Sequence, residues 1–291
     1  MAPSVLADEI RQKLGDLSPA ERKVARVLLA GYPSAGFETI ATLAERAGVS
    51  APTVIRFVNR LGYRGFPDFQ TVLRREVEER NASPLSLYET AGYGREGGDG
   101  KGDSSSLIER GSRLFGEAVS RTLAELPPHD LHHAVNLLAD RKRRITLAGG
   151  RFTHLLAQYL GLHLMQLRDD VRFLPDRAVE RTAHLAALNR RDVLVVFDYR
   201  RYEEDKAAIA QLTHDNGGKI ILFTDTWLSP VTAQAQVVLP SQVAAPSPYD
   251  SLVPALAVIE TVVAGVLIEL GEEAHARMRH GEETARRIGL Y

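Results

Sequence analysis

The chain has 291 residues, 44% of them apolar and 25% charged, with a formal net charge of -1 and no cysteine. These values fit a soluble globular protein of two domains or one large one, and they exclude a largely disordered, collagen-like or coiled-coil chain. The lack of cysteine removes disulfides, thiolate nucleophiles, iron-sulfur clusters and Cys-based zinc sites together, and it points to a reducing, cytoplasmic home.

The opening stretch MAPSVLADEIRQKL sets acids among its apolar residues and lacks the basic start and apolar run of a secretory signal. In LSPAERKVARVLLA, Ser18 is the expected N-cap, Pro19 the first helical residue and Glu21 the third position of a capping box. Val24, Val27 and Leu28 form the apolar stripe of that helix, and Gly31-Tyr32-Pro33 stops it. Thr39 then caps a short helix with Ile40, Leu43, Ala44 and Ala47 inward. Gly48 ends it in the left-handed conformation, and Ser50 caps a following helix that buries Val54, Ile55, Val58 and Leu61.

Two helices joined by a tight glycine turn form the layout in which the second helix enters the DNA major groove and the first braces it. The residues left outward are Ser50, Ala51, Thr53, Arg56, Asn59 and Arg60. Arg56 suits a guanine edge, Thr53 and Ala51 a thymine methyl, and Ser50 or Arg60 a phosphate. Arg46, Arg56, Arg60, Arg64, Arg74 and Arg75 fall in a stretch whose one acid after Arg46 is Asp68, so the near-neutral total conceals a basic face. In the run Leu61, Gly62, Tyr63, Arg64, Gly65, Phe66, the glycines permit a compact reversal. Tyr63 and Phe66 staple the recognition helix, and Arg64 stays exposed as a phosphate contact.

Residues 81–106 are rich in Gly, Ser and Asp without periodicity, which predicts a flexible linker between a helical domain at 1–80 and a second domain at 107–272. Two helices, LIERGSRLFGEAVSRTLAEL and HDLHHAVNLLADR, open the second domain. RITLAG, VRFL, DVLVVFDY, KIILFTD and QVVLP then read as strands, most of them separated by helical segments. This alternation predicts an α/β domain, a parallel sheet covered on both faces, with ligands bound where strands end and helices begin. Ser251 to Leu270 has the length of a membrane span but carries Pro254, Glu260 and Glu269, so a buried helix of the core or a subunit interface is expected. Residues 273–291 are read as a C-terminal helical tail.

The run TIATLAERAGVSAPTVIRFVNRLGYRGFPDF, preceded by LSPAERKVARVLL, resembles the N-terminal domain of the RpiR family of bacterial transcription regulators over residues 5–80. Residues 107–270 resemble the sugar-isomerase (SIS) domain that is the usual C-terminal partner there, carried by RITLAGGRFTHLLAQYLGLHLMQL, DVLVVFDY and KIILFTDTWLSPVTAQAQVVLP. The resemblance implies a homodimeric or homotetrameric regulator that binds double-stranded operator DNA, its affinity set by a phosphosugar in the SIS domain. From the residues themselves no cofactor, metal, membrane or catalysis is expected. The competing reading is a sugar-phosphate isomerase with an accessory helical domain.

The family's phosphate-holding segments are altered in this sequence. In the loop after the first strand Gly149 matches, but Arg151 stands at the second glycine position and Thr153 replaces the serine. After the strand ending in Phe197, the family's Ser-x-Ser-Gly is replaced by Asp198, Tyr199, Arg200 and Arg201, while Thr224, Ser229 and Pro230 are in place. Asp198 would repel a phosphate unless Arg151 or Arg200 neutralises it. Among His154, His163, His184 and Glu260, nothing fixes an isomerase base at a substrate carbon, and His154 is the nearest to the loop. The expected effector site is therefore Gly149, Arg151, Thr153, His154, Asp198, Arg200, Arg201 and Thr224, holding a small anion, a carboxylate or a differently placed sugar phosphate, by guanidinium forks in place of backbone amides; the alternative is an internal Asp198-Arg ion-pair network in a vestigial pocket that only supports dimerisation. Paired histidines at 132 and 133, or 275 and 280, lack the spacing of a helical metal face, and no dinucleotide or Walker pattern occurs.

Overall fold

The structure is a computed structural model that describes residues 6–90 and 104–290. It divides into two compact units, Met1–Ser83 and Pro84–Tyr291.

The first unit is helical: α1 Leu6–Lys13, α2 Pro19–Ala30, α3 Ile40–Ala47, α4 Ala51–Leu61 and α5 Phe66–Asn81. The capping box opens α2 as expected, with the Ser18 amide donating to Glu21 Oε2 at 2.8 Å and the Glu21 amide to Ser18 Oγ at 3.4 Å. Gly48 ends α3 at φ 60° and Gly62 ends α4 at φ 108°, left-handed conformations that a side chain would strain. The core gathers Leu6, Ile10, Val24, Leu28, Leu43, Val54, Phe57, Val58, Leu61, Phe69 and Leu73.

Three expectations for α4 are corrected. Phe57, not Ile55, completes the apolar stripe, because Val54, Phe57, Val58 and Leu61 recur at spacings of three and four while Ile55 lies outside that arc and is 40% exposed. Thr53 flanks the stripe and is buried. Ser50 stands at the N-cap position, but its hydroxyl pairs with Thr53 Oγ1 at 3.0 Å and makes no capping bond to the backbone.

Beyond Ser83, α6 Pro84–Thr90 lies inside the segment expected to be a linker, and α7 starts at Ser104; residues 91–103 fall outside the described residues. After α7 Ser104–Glu125 and α8 Pro128–Ala139 come β1 Arg144–Gly149, α9 His154–Leu167, β2 Val171–Phe173, α10 Ala178–Ala186, β3 Asp192–Phe197 and α11 Glu204–Asp215. β4 Lys219–Asp225, β5 Val237–Ser241, α12 Val253–Leu270 and α13 Glu272–Arg287 complete the unit. All strand pairs are parallel, in the order β2-β1-β3-β4-β5.

Both faces of the sheet are covered, which is why β3 is buried along its whole length. Ile145, Leu147, Val193, Val195, Ile221 and Phe223 pack with residues of α8, α9 and α12 in one core. Ala148, Leu194, Val196, Ile220 and Leu222 pack with Ile209 and Ala210 of α11 in the other. In α12, Pro254, Ala255, Val258, Ile259, Val262, Val266 and Leu270 are buried at helical spacing, whereas Val253, Leu267 and Ile268 remain exposed. By length and composition this helix is apolar enough to cross a membrane. It packs on α7, α8, α9 and β5.

Candidate functional site

Two surfaces carry the chemistry. In the helical unit the turn Gly48-Val49-Ser50 sets α4 beside α3, and the buried stripe of α4 fixes which side chains face outward. Arg56, Asn59, Arg60 and Ser50 are exposed, as are Pro52 and Ile55, and Ala51 is half-buried. Arg56 Nη2 donates to Thr53 Oγ1 at 3.0 Å, so Thr53 orients the guanidinium and is not itself presented to solvent. Arg60 is tied back to the start of α2: its Nη1 donates to the Asp16 carbonyl at 3.0 Å and its Nε lies 3.4 Å from Glu21 Oε2. Burial raises the Glu21 carboxyl, but the Ser18 amide and hydroxyl together with the nearby Arg60 and Arg56 outweigh it and hold the group below its ordinary value.

The reversal after α4 works as the sequence suggests. Tyr63 packs edge-on against Phe69 at 5.6 Å and donates through its hydroxyl to Glu9 Oε2 at 2.7 Å, while Phe66 stacks on Phe69 at 5.7 Å. Arg64 donates its amide to Asp68 Oδ2 at 3.0 Å, and its side chain is 91% exposed.

The second surface lies at the C-terminal ends of the strands. The order β2-β1-β3-β4-β5 reverses between β1 and β3, and in open parallel sheets such a reversal opens a crevice between the two loops that leave it. The β1 loop runs through Gly149, Gly150 and Arg151 to Thr153 at the N-terminus of α9. The Gly150 amide donates to Thr153 Oγ1 at 2.7 Å, and that hydroxyl donates to the Phe197 carbonyl at 2.8 Å, which clamps the loop to β3. A Cβ on Gly149 would lie 2.5 Å from the His154 nitrogen, so the turn is as tight as glycine allows. His154 Nδ1 is 2.9 Å from the Arg151 carbonyl, so the ring is held by its own first turn.

Among the described residues neither Arg151 nor Arg200 pairs with Asp198, so the condition under which that carboxylate would tolerate a phosphate is not met. Asp198 is buried, and it accepts a short bond from the Ser229 hydroxyl and one from the Glu203 amide at 3.3 Å. Burial pushes its carboxyl above the ordinary value, against those bonds and the charge of Lys206. Arg200 and Arg201 instead converge on Asp250, Arg200 through Nε at 3.2 Å and through Nη2, Arg201 through Nη2 at 3.0 Å. Two guanidinium groups thus share one carboxylate, and Arg200 also lies 5.5 Å from the centre of the Trp227 ring. Arg151 is exposed, and among the described residues its guanidinium forms no ion pair. Thr224 is buried and accepts from the Ser229 amide at 3.1 Å, so it supports the turn after β4.

Several members of this cluster are not legible from the sequence motifs. Glu203 reaches the β1 loop, accepting from the Arg151 amide at 3.0 Å, and its other oxygen takes a bond from the buried Lys206 ammonium at 2.8 Å. Asp225 is fully buried and accepts from the Tyr202 hydroxyl at 2.7 Å and the Trp227 amide at 2.9 Å, while its Oδ2 has no protein partner. Burial is the main cause that pushes its carboxyl up to about 6. Asp250 lies 49 to 50 residues from the arginines it joins, beyond the reach of any local motif. The other candidate bases are engaged elsewhere: His184 bonds Thr146 at 3.0 Å, Tyr159 donates to Glu260, and His163 packs on the Tyr159 ring at 4.7 Å. A separate hollow lined by Asn136, Asp140, Glu269, Glu272 and Glu273 lies beside the end of α8 that leads into β1, away from the C-terminal strand ends.

The comparisons with known proteins assign a domain type to each part of the chain. Residues 4–80 match the model of the helix-turn-helix domain of the rpiR family, and residues 137–265 match that of the SIS domain. The chain is 25% identical over 289 residues to the HTH-type transcriptional regulator HexR of Pseudomonas aeruginosa, covering 96% of this chain and 95% of that protein. It is 24% identical over 285 residues to HexR of Escherichia coli, covering 96% and 93%. Among solved structures, the sugar isomerase domain of an RpiR transcription factor from Sphaerobacter thermophilus aligns with a TM-score of 0.56 at 22% identity, over 63% of this chain and 99% of that one. The Vibrio vulnificus NanR protein complexed with ManNAc-6P aligns with a TM-score of 0.54 at 17% identity, over 98% and 99%.

Proposed function

Because the chain belongs to the RpiR-type transcriptional regulators, joining an rpiR-family helix-turn-helix domain to a SIS domain, we propose that α4 reads an operator and that a small anion at the β1–β3 crevice tunes its affinity. The observation that carries the DNA half is the division of α4, with Val54, Phe57, Val58 and Leu61 wholly inside and Arg56 and Asn59 outside. Arg56, steadied by Thr53, takes a guanine edge. Asn59 and Ala51 read neighbouring base edges, and Ser50 and Arg64 bind phosphate. Arg60 acts as a positioning residue first, since it bridges α4 to the capped end of α2.

The effector half is supported by the cluster at the strand ends: Arg200 and Arg201 meet on Asp250, and Arg151 stands exposed on the β1 loop with its guanidinium open to a ligand anion. NanR, a neighbour in fold, is complexed with ManNAc-6P, a phosphorylated sugar; the ligand class here is argued from this chain's own residues. We assign a homodimer, because one recognition helix contributes little affinity and paired half-sites need paired helices. The exposed apolar residues of α12 and of α7, among them Ile268 and Leu123, are its interface candidates. The regulator reading is favoured over an isomerase because His154, His184 and Glu260 are each engaged within the protein.

The test is in-vitro selection of bound DNA with the full chain, followed by affinity measurements on selected and random duplexes with and without small anions. Arg56→Ala should lower specific binding by roughly 1 to 3 kcal/mol and leave nonspecific binding nearly unchanged, whereas Arg64→Ala should lower both alike. Equal loss of both on Arg56→Ala refutes its assignment, and failure to select any sequence refutes the regulator reading.

A further inference from the structure

The first amides of a helix point out of its N-terminus without intrahelical partners, and with the helix dipole they attract a negative group. The loop that starts α9 has this layout, yet two of its amide donors are already taken. The Gly150 amide is bonded to Thr153 Oγ1 and the Arg151 amide to Glu203 Oε1. A Cβ on Gly150 would come within 2.6 Å of that same carboxylate oxygen, so Glu203 rests on the loop backbone at a distance only glycine permits. Its far side is held as firmly: Lys206, 4% exposed, donates to Glu203 Oε2 and to Asp205 Oδ1, both at 2.8 Å.

We infer that Glu203 is a tethered anion that fills the amide loop and makes the crevice reject phosphomonoesters. A phosphate arriving at the loop meets a carboxylate of like charge and finds both the amide and the ammonium engaged. The ligand anion is left with the exposed Arg151 guanidinium, whose planar fork matches a carboxylate. The inference rests on the effector reading above, since it concerns what that crevice admits. It makes Glu203, outside every motif of the sequence, the residue that determines specificity.

The test uses the full chain, calorimetric titration and phosphorus NMR line widths, with inorganic phosphate, glucose 6-phosphate and glucuronate as probes. Wild-type protein is expected to bind neither phosphate probe measurably. Glu203→Ala removes the repelling carboxylate and frees the Arg151 amide, while Lys206 keeps its bond to Asp205, and it should strengthen binding of both phosphate probes by about tenfold or more. Glu203→Gln, which keeps the size and removes the charge, should shift them the same way and decides the matter if the alanine variant does not fold. Wild-type protein that binds inorganic phosphate or glucose 6-phosphate as tightly as the variants overturns the inference, and so do folded variants that gain nothing. Loss of every response of operator binding to small anions, glucuronate included, overturns the effector reading instead and leaves the loop result standing.

Discussion

Asp225→Asn offers a quantitative check on the buried charge beneath the crevice. In the folded protein burial lifts the Asp225 carboxyl from an ordinary 3.8 to about 6, outweighing the bonds from Tyr202, Trp227 and the Arg200 amide, with Asp250 adding to the rise. A carboxyl raised in the native state keeps its proton there while the unfolded chain has lost it. Stability therefore falls as pH rises from the unfolded value to the folded one. Below about pH 4 the group contributes no such term. Above about pH 7 the accumulated cost is the shift multiplied by about 1.4 kcal/mol per unit, or about 3 kcal/mol. Asparagine has no such titration. It leaves an amide where Oδ2 has no partner, a penalty that does not depend on pH. The informative quantity is thus the difference in unfolding free energy between variant and wild type, which should move by about 3 kcal/mol in favour of Asp225→Asn from about pH 4 to pH 7. Asp198 titrates with the same sign and cancels in that difference. Urea unfolding followed by the fluorescence of Trp227, the one tryptophan of the chain, reports on the unit that contains Asp225. A difference that stays flat across the pH range refutes the buried-charge reasoning.

Other expectations concern the helical unit. Phe57→Ala empties a fully buried site in the stripe of α4 and should destabilise that unit by about 3 to 5 kcal/mol, read by far-ultraviolet circular dichroism and accompanied by loss of DNA binding. Ile55→Ala at the neighbouring exposed position should change stability by no more than about 0.5 kcal/mol, the contrast that tests the corrected inward face. Ser18→Ala removes the cap that accepts from the Glu21 amide and should cost about 1 kcal/mol in thermal unfolding.

Local signals in the sequence were sufficient wherever neighbours in the chain are also neighbours in space. Ser18, Pro19 and Glu21 specify a helix start among themselves, Gly48 and Gly62 mark helix ends, and five β-branched runs mark five strands. Periodicity failed at the margin of a stripe, where Thr53, Ile55 and Phe57 compete for the inward arc and packing against the rest of the unit decides. Composition missed α6, seven residues within the Gly- and Ser-rich segment, because a short helix leaves little periodic signal.

For the crevice, the sequence alone determined that the Ser-x-Ser-Gly run is absent and that arginines and an aspartate replace it. It did not determine how those charges pair. Glu203 lies 52 residues from the amide it occupies, Asp250 49 to 50 from the arginines it joins, and Ser229 31 from Asp198. Only the parallel stacking of β1, β3, β4 and β5 brings their C-terminal ends together. Electrostatic partners are chosen by distance and burial, and both are properties of the folded sheet rather than of chain order.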